Sequence, residues 1–234
     1  MKTLLLAAGL GSRLRPITND SPKCLVPING KPLLQIWLER LSKAGFGPFL
    51  INTHYLSEKV EEFVLNSEFK DCVTLVHEKS LLGTAGTLIQ NVDFFDGDGL
   101  VLHADNLCYA NLVDFRLQHE NRPQGCHASM MTFITEDPSS CGIVKLDQSK
   151  VVVEFHEKSV ANNGNLANAA IYIFSKEILS KIRHMELNDI SLDLLPMMLG
   201  SIYSIETDSL MIDVGTIENY RKAIELTSKE TNDL

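Results

Sequence analysis

The sequence predicts an α/β protein built on a doubly wound, mostly parallel, Rossmann-like sheet, with an antiparallel portion in its second half. Three observations carry that expectation. Strand-length apolar runs alternate with helical patterns through the first half of the chain. The first run, Leu4 to Ala8, breaks into a loop holding Gly9 and Gly11 before a helical pattern opens at Pro32. From Cys126 onward, four strand-like runs follow one another closely, two of them around the short segment Asp147–Lys150, which reads as a hairpin. At 234 residues and 44% hydrophobic composition, the chain is long enough for one well-buried core. With no internal repeat, low-complexity tract or linker, residues 1–234 read as a single domain.

In order, Leu4–Ala7 is a buried strand. Pro32–Ala44 is a helix with proline in its first turn, apolar residues at Leu33, Leu34, Trp37, Leu38 and Leu41, and Gly45 as its stop. Pro48–Asn52 is a strand, and Ser57 is expected to cap a helix running to Leu65, with acids near its start. Strands at Val73–His77 and Leu100–His103 alternate with helices at Thr84–Asn91 and Asn111–His119. Strands are then expected at Cys126–Ile134, Gly142–Leu146, Val151–Phe155 and Asn168–Phe174. Helices return at Lys176–Ile182, Ile190–Leu199 and Thr216–Ser228, and the polar tail from Lys229 is expected to fray.

The net charge of −9 argues against nucleic acid as a partner. Residues 1–31 run against that balance: Lys2, Arg13, Arg15, Lys23 and Lys31 face a single acid, Asp20. Five cysteines without a CxxC pair fit reduced thiols in a cytosolic protein, buried rather than catalytic. Met1-Lys2 and the apolar run superficially resemble a signal peptide, but the run is short and Arg13 and Arg15 lie just beyond it, so it reads as a first strand. No stretch approaches the ~18 apolar residues of a membrane span, so no membrane partner is expected.

Ligands of open α/β sheets sit at the carboxyl ends of the strands. Four strand ends supply candidates. After the first come small residues, which let a backbone approach a ligand closely, and the cations Arg13, Arg15 and Lys23, which suit an anion. The loop lacks the third glycine of a dinucleotide fingerprint and the Gly-Lys-Ser/Thr of a P-loop. Asn52 to His54 follow the second strand. After the third, Gly83-Thr84-Ala85-Gly86 could admit a planar base or be a plain strand-to-helix turn, and the two readings stand even. After the fourth, Asp105 suits a Mg²⁺ ion that also binds substrate phosphates, although Asp-Asn pairs are common in turns. Asp213 also follows an apolar run and is its natural second carboxylate. Glu157 and Lys158 read from composition as an exposed charged pair. The histidines show no metal spacing.

With these residues assembled, the chain resembles the sugar-1-phosphate nucleotidyltransferases, which join a nucleoside triphosphate to a sugar 1-phosphate and release pyrophosphate. The resemblance rests on LAAGLGSRLRPIT, SPK and VPINGKPLL and extends over nearly the whole chain. It implies that Ala8, Gly9, Gly11, Ser12 and Arg13 bind nucleotide, that Lys23 contacts phosphates, and that Gly83, Thr84 and Gly86 belong to the base-contacting turn. It further implies that Asp105 and Asp213 hold Mg²⁺ and that Gly142, Glu157, Lys158 and Asn168 hold the sugar phosphate. Arg13, Lys23 and Asp105 would then be the catalytic set. Residues 1–120 would serve mainly the nucleotide and 121–234 mainly the sugar phosphate. The chain departs from the family pattern at Ala8, at Ala104 before Asp105, at Ser159 after Lys158 and at Ala169-Ala170 after Asn168, where Ala-Gly is usual.

Asn52-Thr53-His54-Tyr55 and Gly83–Gly86 look most like mannose-1-phosphate guanylyltransferases and the related heptose-1-phosphate enzymes. A uridylyltransferase for an amino sugar and a phosphocholine cytidylyltransferase are the neighbouring alternatives. From another class comes a non-catalytic nucleotide-sugar-sensing subunit, disfavoured because Arg13, Lys23, Asp105 and Asp213 are all present. The expected partners are a nucleoside triphosphate and a sugar 1-phosphate, and an apolar surface in the second half would support a homodimer.

Overall fold

The computed structural model describes residues 1–158 and 164–230. Ser159 and residues 231–234 of the polar tail lie outside them. In chain order the elements are β1 (Thr3–Leu6), β2 (Pro27–Ile28), β3 (Lys31–Pro32), α1 (Leu33–Lys43), β4 (Phe49–Thr53), α2 (Ser57–Leu65), β5 (Val73–His77), α3 (Gly83–Gln90), β6 (Gly99–His103), β7 (Asn106–Cys108), α4 (Leu112–Glu120), β8 (Ala128–Ile134), β9 (Gly142–Leu146), β10 (Val152–Glu157), β11 (Leu166–Phe174), α5 (Lys176–Ile182), α6 (Leu195–Met197), β12 (Ile202–Glu206), β13 (Met211–Asp213) and α7 (Ile217–Glu230). The α/β class holds, with a mixed sheet that has the expected parallel core and antiparallel portion.

The described chain forms two compact units, each drawn from several stretches of sequence. One comprises residues 3–81, 103–109 and 210–234 and is called here the Lys23 unit. The other comprises 1–2, 82–102 and 110–209 and is called the Asn168 unit. The sequence halves 1–120 and 121–234 divide the chain differently, because both 103–109 and the described residues from 210 onward group with the N-terminal strands.

In the Lys23 unit, β1, β4 and β5 run parallel, with Leu4 beside Leu50 and Ile51 beside Leu75. Every residue of β1 and β4 is buried, as expected of parallel strands covered on both faces. Helix α1 supplies Leu33, Leu34, Trp37, Leu38 and Leu41 to this core, and all five are at most 1% exposed. The Trp37 indole Nε1 donates to the Asn106 carbonyl at 2.7 Å, pinning β7 beneath the helix.

In the Asn168 unit, β11 is the organising strand, pairing antiparallel with β6, β8 and β9. Its Ile171, Tyr172, Ile173 and Phe174 are fully buried. The expected hairpin is present: β9 and β10 are antiparallel, and the Asp147 carboxylate accepts from the Ser149 and Val151 amides between them. Strand β12, which the sequence pattern hides, lies parallel to β8. Its Ser204 is buried where an apolar residue would announce a strand, and its hydroxyl bonds Thr132 Oγ1 at 2.9 Å.

Two local expectations are corrected. Ser57 does not cap α2. It lies inside the first turn, and the residue before the helix is Leu56, in a left-handed conformation with no side-chain cap. The helix expected over Ile190–Leu199 is broken into a wide turn at Ile190–Leu194 and the single turn α6. Asp189 caps the first piece by accepting from the Ser191 and Leu192 amides, and Pro196, which has no N–H to give, stands in the second.

A buried polar cluster braces the Asn168 unit. The His119 imidazole, fully buried, bonds Ser129 Oγ at 2.8 Å through Nδ1 and lies 3.0 Å from Asp98 Oδ2 through Nε2. Burial lowers the His119 pKa below its ordinary 6.5, and the Arg122 charge adds to this against the pull of Asp98. The folded chain therefore holds His119 neutral where the unfolded chain takes up a proton. This stabilisation is fully present above pH 6.5 and is lost as pH falls below it. Denaturant unfolding should show stability dropping between pH 7.5 and pH 5.5, and dropping less in His119→Gln, which does not titrate.

Candidate functional site

The glycine loop of the Lys23 unit is held shut by its own residues. Gly11, at φ 63, precedes a 3-10 turn over Ser12–Leu14, and the Leu14 amide returns to the Gly11 carbonyl at 3.0 Å. The buried Thr18 hydroxyl donates to the same carbonyl at 2.7 Å, and Leu14 is fully buried beneath. With those two anchors inside, Gly9, Ser12, Arg13 and Arg15 face solvent, while Ala8 is buried. Nothing lies within 4 Å of where a Cβ on Gly9 would stand, so packing does not demand glycine there.

Lys23 points the other way. It opens a short 3-10 turn, Lys23–Leu25, and its side chain is only 8% exposed. Its ammonium lies 2.5 Å from Asp105 Oδ2 and 3.3 Å from Asp213 Oδ1. The two carboxylates arrive on the β7–β13 ribbon, in which Asp213 pairs with Asn106 and the Val214 amide donates to the Asp105 carbonyl at 3.0 Å. Burial opposes ionisation of Asp105, but the charges of Lys23 and His103 and the bond from Lys23 outweigh it, so its pKa lies below the usual carboxylate value. The structure thus brings together Lys23, Asp105 and Asp213, residues separated by up to 190 positions.

Gly215 belongs with them and was not among the expected residues. A Cβ there would stand 2.8 Å from both Asp213 carboxylate oxygens and 3.1 Å from Arg13 Nη2. That close approach also places the Arg13 guanidinium at the rim of the carboxylate pair. The Cys24 thiol next door is raised to about 12 by burial, which removes it as a nucleophile.

The Asn168 unit holds a second group. Glu157 pairs in register with Gly142, and a Cβ on Gly142 would come within 2.7 Å of the Glu157 carboxylate. Lys158, exposed and at φ 44, follows β10 directly, and its Nζ lies 3.6 Å from Glu157 Oε1. Asn168 Nδ2 donates to the Tyr172 hydroxyl at 2.6 Å, and Asn168 Oδ1 accepts from the Ala170 amide at 2.9 Å. These bonds span a bulge in β11, where Ala170 adopts φ 53. The glycine usual at this position would enter the left-handed region without strain.

Gly83, at φ 76, is demanded by the chain itself: a Cβ would stand 2.1 Å from the Asn188 carbonyl oxygen. The Thr84 hydroxyl accepts from the Ile190 amide at 2.7 Å and lies 3.2 Å from Asp189 Oδ2. The turn reading therefore accounts for Gly83 and Thr84, while Gly86 has only Leu82 and Leu187 near it. Among the described residues no group of three or more His, Cys, Asp or Glu side chains could hold a metal ion. A pair of carboxylates converging on one cation, as here, still fits Mg²⁺, which takes one or two protein carboxylates alongside phosphates. No described helix is long and apolar enough to cross a membrane.

The family model for nucleotidyl transferases matches residues 2–230. The chain belongs to the nucleotidyl transferase family. It is 30% identical over 95% of its length to a putative mannose-1-phosphate guanyltransferase of Sulfolobus acidocaldarius. It is 32% identical over 96% of its length to a UTP–glucose-1-phosphate uridylyltransferase of a Synechocystis species. In both comparisons the chain spans 62% of the relative's length. Among solved structures, HddC of Yersinia pseudotuberculosis, complexed with GMP-PN, is 25% identical with a TM-score of 0.81, covering 97% of this chain and 99% of that one.

Ala170 offers a test of the bulge. Ala170→Gly should raise stability by up to about 1 kcal/mol in denaturant unfolding, because relief of the left-handed strain exceeds the added chain entropy.

Proposed function

We propose that the chain transfers a nucleotidyl group from a nucleoside triphosphate to a sugar 1-phosphate and releases pyrophosphate, with GTP and mannose 1-phosphate or a related sugar preferred. The observation that carries this reading is the buried Lys23 ammonium bound to both Asp105 and Asp213, in a chain whose family model spans nearly its whole length. The guanyl preference draws on the guanyltransferase relative and on the GMP-PN complex of HddC. The uridylyltransferase relative, at comparable identity, supports the second reading, a uridylyl transfer by the same residues.

In the proposed reaction an oxygen of the sugar 1-phosphate attacks the α-phosphorus in line. The new P–O bond forms as the bond to the bridging oxygen breaks, and the electron pair leaves on pyrophosphate. The second pKa of a phosphate monoester is about 6, so the nucleophile is largely ionised at neutral pH and needs no general base. Catalysis is then positioning and charge neutralisation. Arg13, exposed on the closed loop, forks onto the outer phosphates. Lys23 supplies a point charge beside the leaving pyrophosphate. Glu157 accepts from sugar hydroxyls, Lys158 binds the sugar phosphate, and Asn168 presents an amide whose orientation Tyr172 and Ala170 fix. Asp105 and Asp213 would hold Mg²⁺, which when bound neutralises the reacting phosphates.

Pyrophosphate release with GTP, UTP, dTTP, CTP and ATP crossed with sugar 1-phosphates and phosphocholine tests the reading. GTP with a manno-configured sugar 1-phosphate should turn over fastest, and release with no pair would favour the sensing subunit. Asp105→Ala should lower turnover by roughly a hundredfold or more with an unchanged circular dichroism spectrum. Lys158→Ala should raise the KM for sugar 1-phosphate by roughly tenfold while leaving that for nucleotide nearly unchanged, since a charged hydrogen bond is lost at one substrate only.

A further inference from the structure

The Lys23 ammonium and a divalent ion make competing claims on the same oxygens. Nζ lies 2.5 Å from Asp105 Oδ2 and 3.3 Å from Asp213 Oδ1. Mg²⁺ binds oxygen at about 2.0–2.1 Å and demands near-octahedral geometry. An ion on those two oxygens would stand against the ammonium, cation to cation, with the Lys23 side chain 8% exposed beneath an Asp105 at 29% and an Asp213 at 52%. On those two oxygens the ion and the ammonium exclude each other. The lysine is built to yield: its charge sits on a flexible four-carbon stem, while its backbone is fixed in a 3-10 turn whose Val26 amide returns to the Lys23 carbonyl at 3.2 Å. The backbone that carries the carboxylates is held, at Asp213 by its register with Asn106 and by Asn219 Nδ2 donating to its carbonyl at 2.9 Å, and the aspartate stems are shorter than the lysine's.

We propose that Lys23 is a tethered counter-ion of the metal site: it holds Asp105 and Asp213 together in the free chain and must leave them when a divalent ion binds. This rests on the nucleotidyl-transfer reading of the two aspartates. A buried ammonium cannot be released without a new partner, and triphosphate oxygens are a strong one. Metal and nucleotide therefore bind as a pair. Metal alone meets a site already neutralised, and nucleotide raises metal affinity by giving the ammonium somewhere to go. By linkage, metal raises nucleotide affinity by the same factor. Lys23 thus acts twice, first as a positioning residue for the carboxylates and then as the cation beside the phosphates.

Mn²⁺ bound to the whole chain without nucleotide, counted by electron paramagnetic resonance, tests this. Lys23→Met, which keeps the length of the stem, should bind Mn²⁺ at least fivefold more tightly than the unaltered chain, and Asp105→Asn should abolish binding in both backgrounds. Equal or weaker binding by Lys23→Met, with dependence on Asp105 retained, overturns the tether and leaves the aspartate assignment standing. Mn²⁺ binding indifferent to Asp105→Asn, or absent from every variant, overturns the assignment itself.

Discussion

A buried ammonium without carboxylates would cost several kcal/mol, and the Lys23 unit is arranged around that constraint. Lys23 is carried on the loop after β1, Asp105 on the segment after β6, and Asp213 on the ribbon before α7. Three stretches distant in sequence must meet before the buried ammonium has both its carboxylates. The Trp37 bond to Asn106, the β7–β13 register and the Asn219 bond to Asp213 all serve to bring the carboxylates to that one nitrogen. Proposed chemistry and fold share one electrostatic requirement, so a change that loosens the ribbon disturbs both.

The sequence made much of the architecture legible because its strongest signals are local. Val73–His77, Gly142–Leu146 and Lys176–Ile182 announce their limits through apolar runs and a true serine cap, with Ser175 Oγ accepting from the Ile178 amide. Where tertiary partners decide, the signal fails. Ser204 reads as polar yet is buried against Thr132, and so β12 is hidden. Ile190–Leu199 keeps a helical pattern, but Asp189 and Pro196 redirect its backbone. Ser57 has the chemistry of a cap but stands one residue too late to act as one.

The site was legible to a different degree. Lys23, Asp105 and Asp213 could be chosen as chemistry-bearing residues at strand ends, but nothing in their spacing says that one ammonium touches both acids. Gly215 carried a faint signal, a small residue two positions after Asp213, and its reason, the crowding of Asp213 and Arg13, is visible only in three dimensions. The Gly83 turn illustrates the reverse. Its sequence left a ligand contact and a plain turn even, and the structure adds a packing reason for the glycine in the Asn188 carbonyl.

The closed loop from Gly11 to Thr18 has a further consequence. A flexible glycine loop would lose roughly 1–2 kcal/mol of backbone freedom per residue on wrapping a polyanion, and that loss would weaken binding. Here the Gly11 carbonyl, held by both Leu14 and Thr18, has settled that loss when the chain folds. In the proposed reaction a phosphate arriving at Arg13 would meet a surface already in shape, and its binding energy would be left for the reaction instead of for ordering the protein.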